Sequence, residues 1–352
     1  MDDSIRLERQ RGDRALRAMV AIVTTILTVA ALGITQSVFA PLSFALFIIA
    51  IVWPLQSRLQ AWMPKLVALT LTMLTTVAVI LGFAWVVTWG FARVAHYVVG
   101  EVPRLQIVYN QWDEWLEGHG IAVASLWVEH FNMGWLLRVF HRITIMANGA
   151  LSFALIVVIY VILGLLEIDD AVRRLRSMRT RKLGIVLLAG GARTAIKFRR
   201  YMLVRSVMSV VTGIFVWGLI WLFGVPLAVE WGVIAFALNY VPFIGPLVAT
   251  VLPSLFAAAQ LAVWQDAILI FGCLNFIQFF TGNYLEPLIA GSVLSMSPFF
   301  MLFAIFFWTY LWGIPGTFIG VPIVIAMQTI CEQHESSRWL ADLLGGADSP
   351  RE

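Results

Sequence analysis

Residues 275–291 read Asn-Phe-Ile-Gln-Phe-Phe-Thr-Gly-Asn-Tyr-Leu-Glu-Pro-Leu-Ile-Ala-Gly, and the carboxylate of Glu286 is flanked on both sides by long uncharged apolar sequence. If residues 267–286 form a helix, one stripe of it carries Asn275, Gln278, Gly282 and Glu286. In hydrocarbon a polar stripe must face protein or water, and an ionisable group there usually marks an ion or substrate path. The alternative is that Glu286 ends the helix at headgroup level, just before Pro287.

The composition indicates a membrane protein independently of any motif. Hydrophobic residues make up 61% of the chain, charged residues make up 12%, and the mean hydropathy is +0.88. Several uncharged runs exceed the roughly 20 residues that span a bilayer. We therefore predict an all-α, polytopic integral membrane protein with about eight transmembrane helices, in which residues 1–352 form a single membrane transport domain.

Basic residues set the predicted orientation of the chain. Residues 168–205 hold 11 arginines and lysines, and the N-terminal segment holds five arginines. Because cytoplasmic loops carry the excess of positive charge, both regions and both termini should be cytoplasmic. The basic segment can also bind anionic lipid headgroups or a negatively charged cargo. Residues 93–145 balance acids against bases, which favours an extracytoplasmic insertion of amphipathic helices.

No motif points to an enzyme, a cofactor or a metal site. Four of the five histidines lie within residues 93–145, but their spacing matches no zinc pattern. The chain has no Gly-x-x-x-x-Gly-Lys-Ser/Thr loop, and no arrangement with catalytic spacing stands out. We therefore predict secondary transport driven by an ion gradient, with no cofactor.

Two uncharged segments, 231–265 and 299–331, are too long for one straight crossing. As straight helices they would reach roughly 50 Å, against a hydrocarbon core of about 30 Å. Each contains Gly and Pro near its middle, a pattern typical of transporter binding sites. Either both segments cross, which gives eight spans, or both are re-entrant hairpins that enter from opposite sides. The candidate site residues around the breaks are Asn239, Tyr240, Pro242, Gly245, Gly313 and Gly316.

The same region carries a resemblance to a known family. The chain resembles the autoinducer-2 exporter family of PerM-like permeases over about residues 200–325, and the first half agrees with it in layout, including a short second span closed by Pro54. The motifs that carry the resemblance are the runs 231–246, 283–291 and 312–322, with Ser297 and Pro298. The resemblance implies a protein of the bacterial inner membrane with about eight spans. It also implies a homo-oligomer such as a pentamer.

Three functions remain open from the sequence. The first is a secondary exporter of a small polar solute of the autoinducer-2 type. The second is an antiporter of a monovalent cation such as Na⁺ against protons, and it depends more strongly on Glu286 because such exchange needs a group with a movable pKa. The third is a passive channel or a structural membrane scaffold. The expected partners are membrane lipids, the solute, H⁺ or Na⁺ and other copies of the chain, but no nucleic acid.

Glu286 is the residue expected to carry the proton or ion. Its charge is expected to be compensated by the side-chain amides of Asn275, Gln278 and Asn283. Across the site, we expect it to face Asn239 and Tyr240. If Pro242 and Gly245 create an unwound binding segment, Gly245→Leu should abolish transport and leave assembly intact.

Overall fold

The structure is a computed structural model that describes residues 2–101, 133–177, 181–261, 264–290, 297–333 and 337–345. All regular elements in these ranges are helical, which confirms the predicted all-α membrane fold. In chain order the helices are α1 (Asp2–Ile34), α2 (Gln36–Gln60), α3 (Lys65–Gly100), α4 (Met133–Arg176), α5 (Arg181–Leu222), α6 (Ala228–Leu238), α7 (Ile244–Gln260), α8 (Trp264–Phe280), a π-helix (Thr281–Leu285), α9 (Glu286–Ala290), α10 (Pro298–Cys331) and α11 (Arg338–Leu344).

Six helices in the described ranges are long and apolar enough to cross a membrane. They lie within residues 36–60, 65–100, 152–176, 184–222, 265–289 and 298–331. The expectation that Pro54 closes the second span is wrong, because α2 continues through Pro54 to Gln60. Membrane helices tolerate an interior proline because neighbouring groups satisfy the backbone that it frees.

The segments outside the predicted spans are largely helical extensions of those spans. α3 continues to Gly100 and α4 begins at Met133, so both ends of the 93–145 insertion belong to long helices. The rest of that insertion, residues 102–132, lies outside the described residues. The described part of the basic segment, residues 168–177 and 181–205, forms the end of α4 and the first part of α5. Its cytoplasmic position stays a prediction.

The first of the two long apolar segments forms a helical hairpin, which we call hairpin A and which consists of α6, residues 239–243 and α7. A Cβ atom placed on Gly245 would lie 1.9 Å from the carbonyl oxygen of Leu238. In a straight helix these residues would be about 10 Å apart. α6 is about 16 Å long, which is too short to cross the bilayer. Of the two alternatives for this segment, the structure favours the one that folds back.

The turn of hairpin A is tight. The N–H of Ile244 donates to the carbonyl oxygen of Pro242 at 2.7 Å, and Phe243 between them has φ 62° and ψ −55°. This is a γ-turn of the rare type in which the central residue is strained, because a side chain disfavours positive φ.

The second long segment, α10, also folds back, and we call it hairpin B. Its two halves meet at Gly313, which has φ 63° and ψ −142°. A Cβ atom on Gly316 would lie 1.8 Å from the carbonyl oxygen of Trp308, and one on Gly320 would lie 3.1 Å from that of Ala304. Residues 304 and 320 would be about 24 Å apart in a straight helix. The segment therefore runs as two antiparallel halves and not as one straight helix.

The two hairpins are held by different parts of the helix bundle. The ring nitrogen of Trp312, at the tip of hairpin B, donates to the carbonyl oxygen of Leu32 in α1 at 3.0 Å. Hairpin A lies along α5, where the Cβ positions of Gly213 and Gly232 would each come within 3 Å of the other residue's carbonyl oxygen. Apolar burial gives little driving force in lipid, so such close packing of small residues holds membrane helices together.

Candidate functional site

Glu286 lies at the junction between the π-helix and α9, and it pairs with Arg205 of α5. Both carboxylate oxygens accept from one Arg205 nitrogen, Nη1, at 3.0 Å. The side chains of Arg205 and Glu286 are 8% and 20% exposed. The alternative in which Glu286 ends a helix is wrong, because α9 continues through Pro287 to Ala290. The carboxylate is therefore a partner in an ion pair inside the protein.

The π-helix changes which side chains share a face with Glu286. A π-helical turn contains an extra residue, so it rotates the residues that follow it relative to those before it. Asn275 and Asn283 are exposed, and each donates to the carbonyl oxygen of the residue four positions earlier. The Nε2 of Gln278 is buried without a hydrogen-bond partner among the described residues. The charge of Glu286 is thus balanced by Arg205, and none of the three amides expected in that role bonds to it.

The polar residues of hairpin A bond to α5 within one turn of Arg205. The amide of Asn239 donates to the hydroxyl of Ser209 at 3.2 Å, and the hydroxyl of Tyr240 donates to that of Ser206 at 3.0 Å. Asn239 is buried. The structure therefore brings Asn239, Tyr240 and Glu286 to a single stretch of α5, residues 205–209.

A cavity of about 140 Å³ adjoins this stretch of α5. Most of its wall is aromatic or aliphatic. α2 and α5 provide most of the lining, and Tyr240 of hairpin A with part of hairpin B completes it. The lining residues are Phe44, Phe47, Ile48, Ile51, Phe198, Tyr201, Met202, Arg205, Tyr240, Phe318, Ile319 and Pro322. Arg205 thus lines the cavity and pairs with Glu286.

The glycines and prolines predicted for the site have structural roles in this arrangement. Gly245 and Gly316 allow close backbone contact within their hairpins, and Gly313 supplies the positive φ of the turn. Pro242 accepts the hydrogen bond of the γ-turn, and Pro287 lies inside α9. The expectation that Gly245→Leu leaves assembly intact is wrong, because even a Cβ atom would overlap the backbone at Leu238.

Arg205, Ser206, Ser209 and Tyr201 are the residues of the site that the sequence did not single out. Arg205 is the last of the 11 basic residues in segment 168–205, and orientation explains all of them without a site. One signal sets it apart: a run without charged residues begins at Ser206 and extends to Glu230. An arginine at the start of such a run is a candidate for the membrane interior.

The arrangement places one largely buried ion pair beside an apolar cavity. The described residues contain no group of three or more His, Cys, Asp or Glu side chains that could hold a metal ion. Loss of either partner of a largely buried ion pair is costly, because it leaves the other charge unpaired. The Arg205–Glu286 pair therefore stabilises the contact between α5 and the segment that carries Glu286.

Comparison with known proteins points to transport. Residues 20–336 match the sequence profile of the AI-2E family transporters. The AI-2 transport protein TqsA of Escherichia coli (strain K12) is 24% identical over 94% of this chain and 95% of its own length. A putative transport protein of Haemophilus influenzae is 22% identical over 94% of this chain and 97% of its own length. The putative transport protein YhhT of Escherichia coli (strain K12) is 29% identical over 56% of each chain.

Proposed function

Because this chain belongs to the AI-2E family of bacterial multi-pass membrane transporters, we propose that it exports a small polar solute by secondary active transport coupled to an ion gradient. The relative TqsA is named an AI-2 transport protein, so a solute of the AI-2 type is the first to test. The observation that carries the proposal is the Arg205–Glu286 pair beside a cavity that α2 and α5 line together with parts of both hairpins. Gly- or Pro-interrupted helices that meet at a polar site are typical of secondary transporters.

Protons are the coupling ion in this proposal. In the described state the carboxyl group of Glu286 pairs with Arg205 and holds it in place. Protonation of Glu286 would release Arg205 and remove the support of the turn of α5 that holds hairpin A. Proton and solute then favour different states of one site, which is the requirement for exchange.

Exchange of Na⁺ for protons is the second candidate. A cation at Glu286 would have to displace Arg205, whose Nη1 contacts both carboxylate oxygens. A bound cation and the arginine charge would also repel each other at short range. The observed pairing therefore favours the solute exporter.

Flux measurements on reconstituted protein separate the two candidates. The full chain is placed in liposomes that hold a pH-sensitive dye, and either Na⁺ or an AI-2 solute is added. We expect proton movement when the solute is added and no proton movement when Na⁺ is added. Proton movement evoked by Na⁺ alone would select the antiporter, and solute flux that ignores the proton gradient would identify a passive channel.

We further propose that hairpin A enters the bilayer from the extracytoplasmic side and hairpin B from the cytoplasmic side, so that both termini are cytoplasmic. The basic residues of segment 168–205 support this orientation. In a chain without its two native cysteines, impermeant reagents should label Val229→Cys and Gln265→Cys from the outside only. Labelling from opposite sides would mean that hairpin A crosses the membrane.

We also propose that the chain acts as a homo-oligomer in the inner membrane. Asn275 and Asn283 are exposed on α8 and the π-helix, next to exposed aromatic side chains such as Phe279 and Tyr284. Amide groups that face hydrocarbon are costly, and a second copy of the chain would cover them. Native mass spectrometry in lipid nanodiscs should give a multiple of the 39.3 kDa chain mass, and a monomer would contradict the proposal.

A further inference from the structure

The interface that α5 forms with α8 and the π-helix is apolar at both ends. At the end near Arg205, Leu285 of the π-helix packs against the buried Val204 and Met208 of α5. At the far end both helices contribute to one buried apolar cluster, through Val216, Ile220, Ile270 and Leu274. Residue numbers rise along α5 where they fall along α8, so the two helices are antiparallel.

Thr212 and Gln278 lie in the middle of this interface. Thr212 is four residues after Met208 and four residues before Val216. Gln278 is four residues after Leu274 and therefore lies between the two apolar ends of its own helix. Side chains four residues apart share a helix face, so both residues lie on the faces that join the helices. Because the helices are antiparallel, the two side chains lie at about the same level.

Both side chains carry a buried polar atom without a partner. Thr212 is fully buried, and its Oγ1 has no hydrogen-bond partner among the described residues. The Nε2 of Gln278 is also buried and has no partner within the described part of the chain. By contrast, the hydroxyl of Thr281 donates to the carbonyl oxygen of Ile277 in the preceding turn, at 2.8 Å. An unpartnered buried group is costly and uncommon, so it points to a partner that the protein itself does not supply.

Arg205 provides a third such atom. Its Nη1 pairs with Glu286, but its Nε is buried and has no partner in the described ranges. Arg205 lies seven residues before Thr212, a separation of about 10 Å along α5. Between them, Ser209 accepts a hydrogen bond from Asn239 of hairpin A. The three unpartnered atoms therefore belong to the region where α5, α8 and the tip of hairpin A meet, and a ligand that bonds to all of them must carry several polar atoms.

These three atoms specify the chemistry of the ligand. The Nε of Arg205 and the Nε2 of Gln278 can only donate a hydrogen bond, whereas the hydroxyl of Thr212 can donate or accept. Hydroxyl groups of a ligand can satisfy all three, because their oxygens accept and their hydrogens donate. The charge of Arg205 is already balanced by Glu286 at 3.0 Å, so a charged ligand would add an unpaired charge to a buried site. The site therefore favours an uncharged, hydroxylated molecule.

We propose that an uncharged solute with several hydroxyl groups binds between α5, α8 and the tip of hairpin A. Its oxygens accept from the Nε of Arg205 and the Nε2 of Gln278, and one hydroxyl bonds to the hydroxyl of Thr212. This inference rests on the proposed transport function and assigns contacts to its small polar solute. Arg205 also lines the apolar cavity, so the polar site and the cavity adjoin each other.

The test measures the binding of defined probes to the full chain in lipid nanodiscs by fluorine NMR. The expected ligand is 5-deoxy-5-fluororibose, which is uncharged and carries several hydroxyl groups. The comparison probes are 4-fluoroacetophenone, which has an acceptor oxygen but no hydroxyl, and 2-deoxy-2-fluororibose 5-phosphate, which is an anion. Nanodiscs without protein measure the partition of each probe into lipid.

Two variants each remove one proposed contact and keep the approximate size of the side chain. Thr212→Val and Gln278→Met should each weaken the binding of 5-deoxy-5-fluororibose by about 3- to 10-fold, the worth of one hydrogen bond. Neither variant should lower the thermal midpoint of the protein without probe, because the group that it removes has no partner in the protein. Thr329→Val is the matched control, since Thr329 is also buried but its hydroxyl donates to the carbonyl oxygen of Ile325 at 2.7 Å. It should bind the probe like the unaltered chain.

Unaltered probe binding in Thr212→Val or in Gln278→Met would overturn the proposal, and so would tighter binding of the ketone or the phosphate. A lower thermal midpoint in both variants, with no binding of 5-deoxy-5-fluororibose to the unaltered chain, would also overturn it, because these groups would then bind water. The binding measurement needs no ion gradient. Absent probe binding together with proton-driven solute flux that neither variant slows would refute this inference alone. Probe binding without any flux would refute the transport proposal alone.

Discussion

Hairpins A and B both turn at a residue with positive φ, but the two residues differ. Gly313 turns hairpin B at φ 63°, where glycine has no steric penalty, but Phe243 turns hairpin A at φ 62°, where a phenylalanine is strained. The tip of hairpin B is anchored on α1 by Trp312, while hairpin A presents Asn239 and Tyr240 to α5 near the ion pair. The difference indicates that the turn of hairpin B is relaxed and that hairpin A stores strain in the turn that follows Asn239 and Tyr240.

The largest expected effect is a loss of assembly, and it should be the same for both hairpins. Gly245→Ala and Gly316→Ala would each place a Cβ atom within 2 Å of a backbone carbonyl oxygen, which no side-chain movement can relieve. We expect neither variant to give an assembled, monodisperse protein in size-exclusion chromatography. Gly218→Ala, whose Cβ position meets nothing within 4 Å, is the matched control and should assemble normally. Assembly of either hairpin variant would mean that the two halves of that hairpin are not in close contact.

A smaller effect is expected at the turn of hairpin B. The Cβ atom added by Gly313→Ala would have no neighbour within 4 Å. Any change in stability is therefore due to the backbone conformation and not to a steric clash. We expect a loss of about 1–3 kcal/mol in stability, the cost of a side chain in a region that glycine alone adopts readily. Thermal unfolding followed by circular dichroism measures it. Gly272→Ala, in α8 and equally open, should be neutral or stabilising, and an equal loss in both variants would contradict the role of Gly313.

At the turn of hairpin A we expect a substitution by glycine to raise the stability of the protein. Phe243→Gly removes the strain at positive φ, and we expect it to raise stability by about 1 kcal/mol after the entropy that glycine loses on folding. Phe243→Ala removes the ring and keeps the strain, so it should not stabilise the protein. If both variants are destabilised equally, the ring of Phe243 matters and its backbone is not strained.

The sequence predicted the fold class and the breaks of both hairpins, because Gly and Pro within long apolar runs have a direct backbone consequence. It also pointed to Asn239, Tyr240 and Glu286 as members of one site. It did not reveal that α5 joins them, because contact between residues 205–209, 239–240 and 286 depends on how the folded helices pack. The π-helix has no sequence signal of its own, and it changes which side chains share a face with Glu286.

Membrane orientation and a functional site both use arginine, so the sequence alone does not show which of the two roles a given arginine has. Arg205 looks like one more cytoplasmic arginine until its burial and its partner are known. Tyr201 looks like an ordinary core aromatic residue, and only its place in the cavity wall of the folded protein distinguishes it.

The central claim is that hairpin A is coupled to proton movement through Glu286, and the most direct measurement is the pH dependence of transport in liposomes. Glu286→Gln keeps the shape of the side chain but cannot titrate, so it should eliminate the pH-dependent part of the flux, and Glu286→Asp should keep some of it with a shifted pH optimum. Glu332→Gln is the matched control, because Glu332 also forms an ion pair, with Lys197, but lies away from the cavity. It should keep the normal pH profile. Transport by Glu286→Gln at the normal rate and with an unchanged pH profile would contradict the claim.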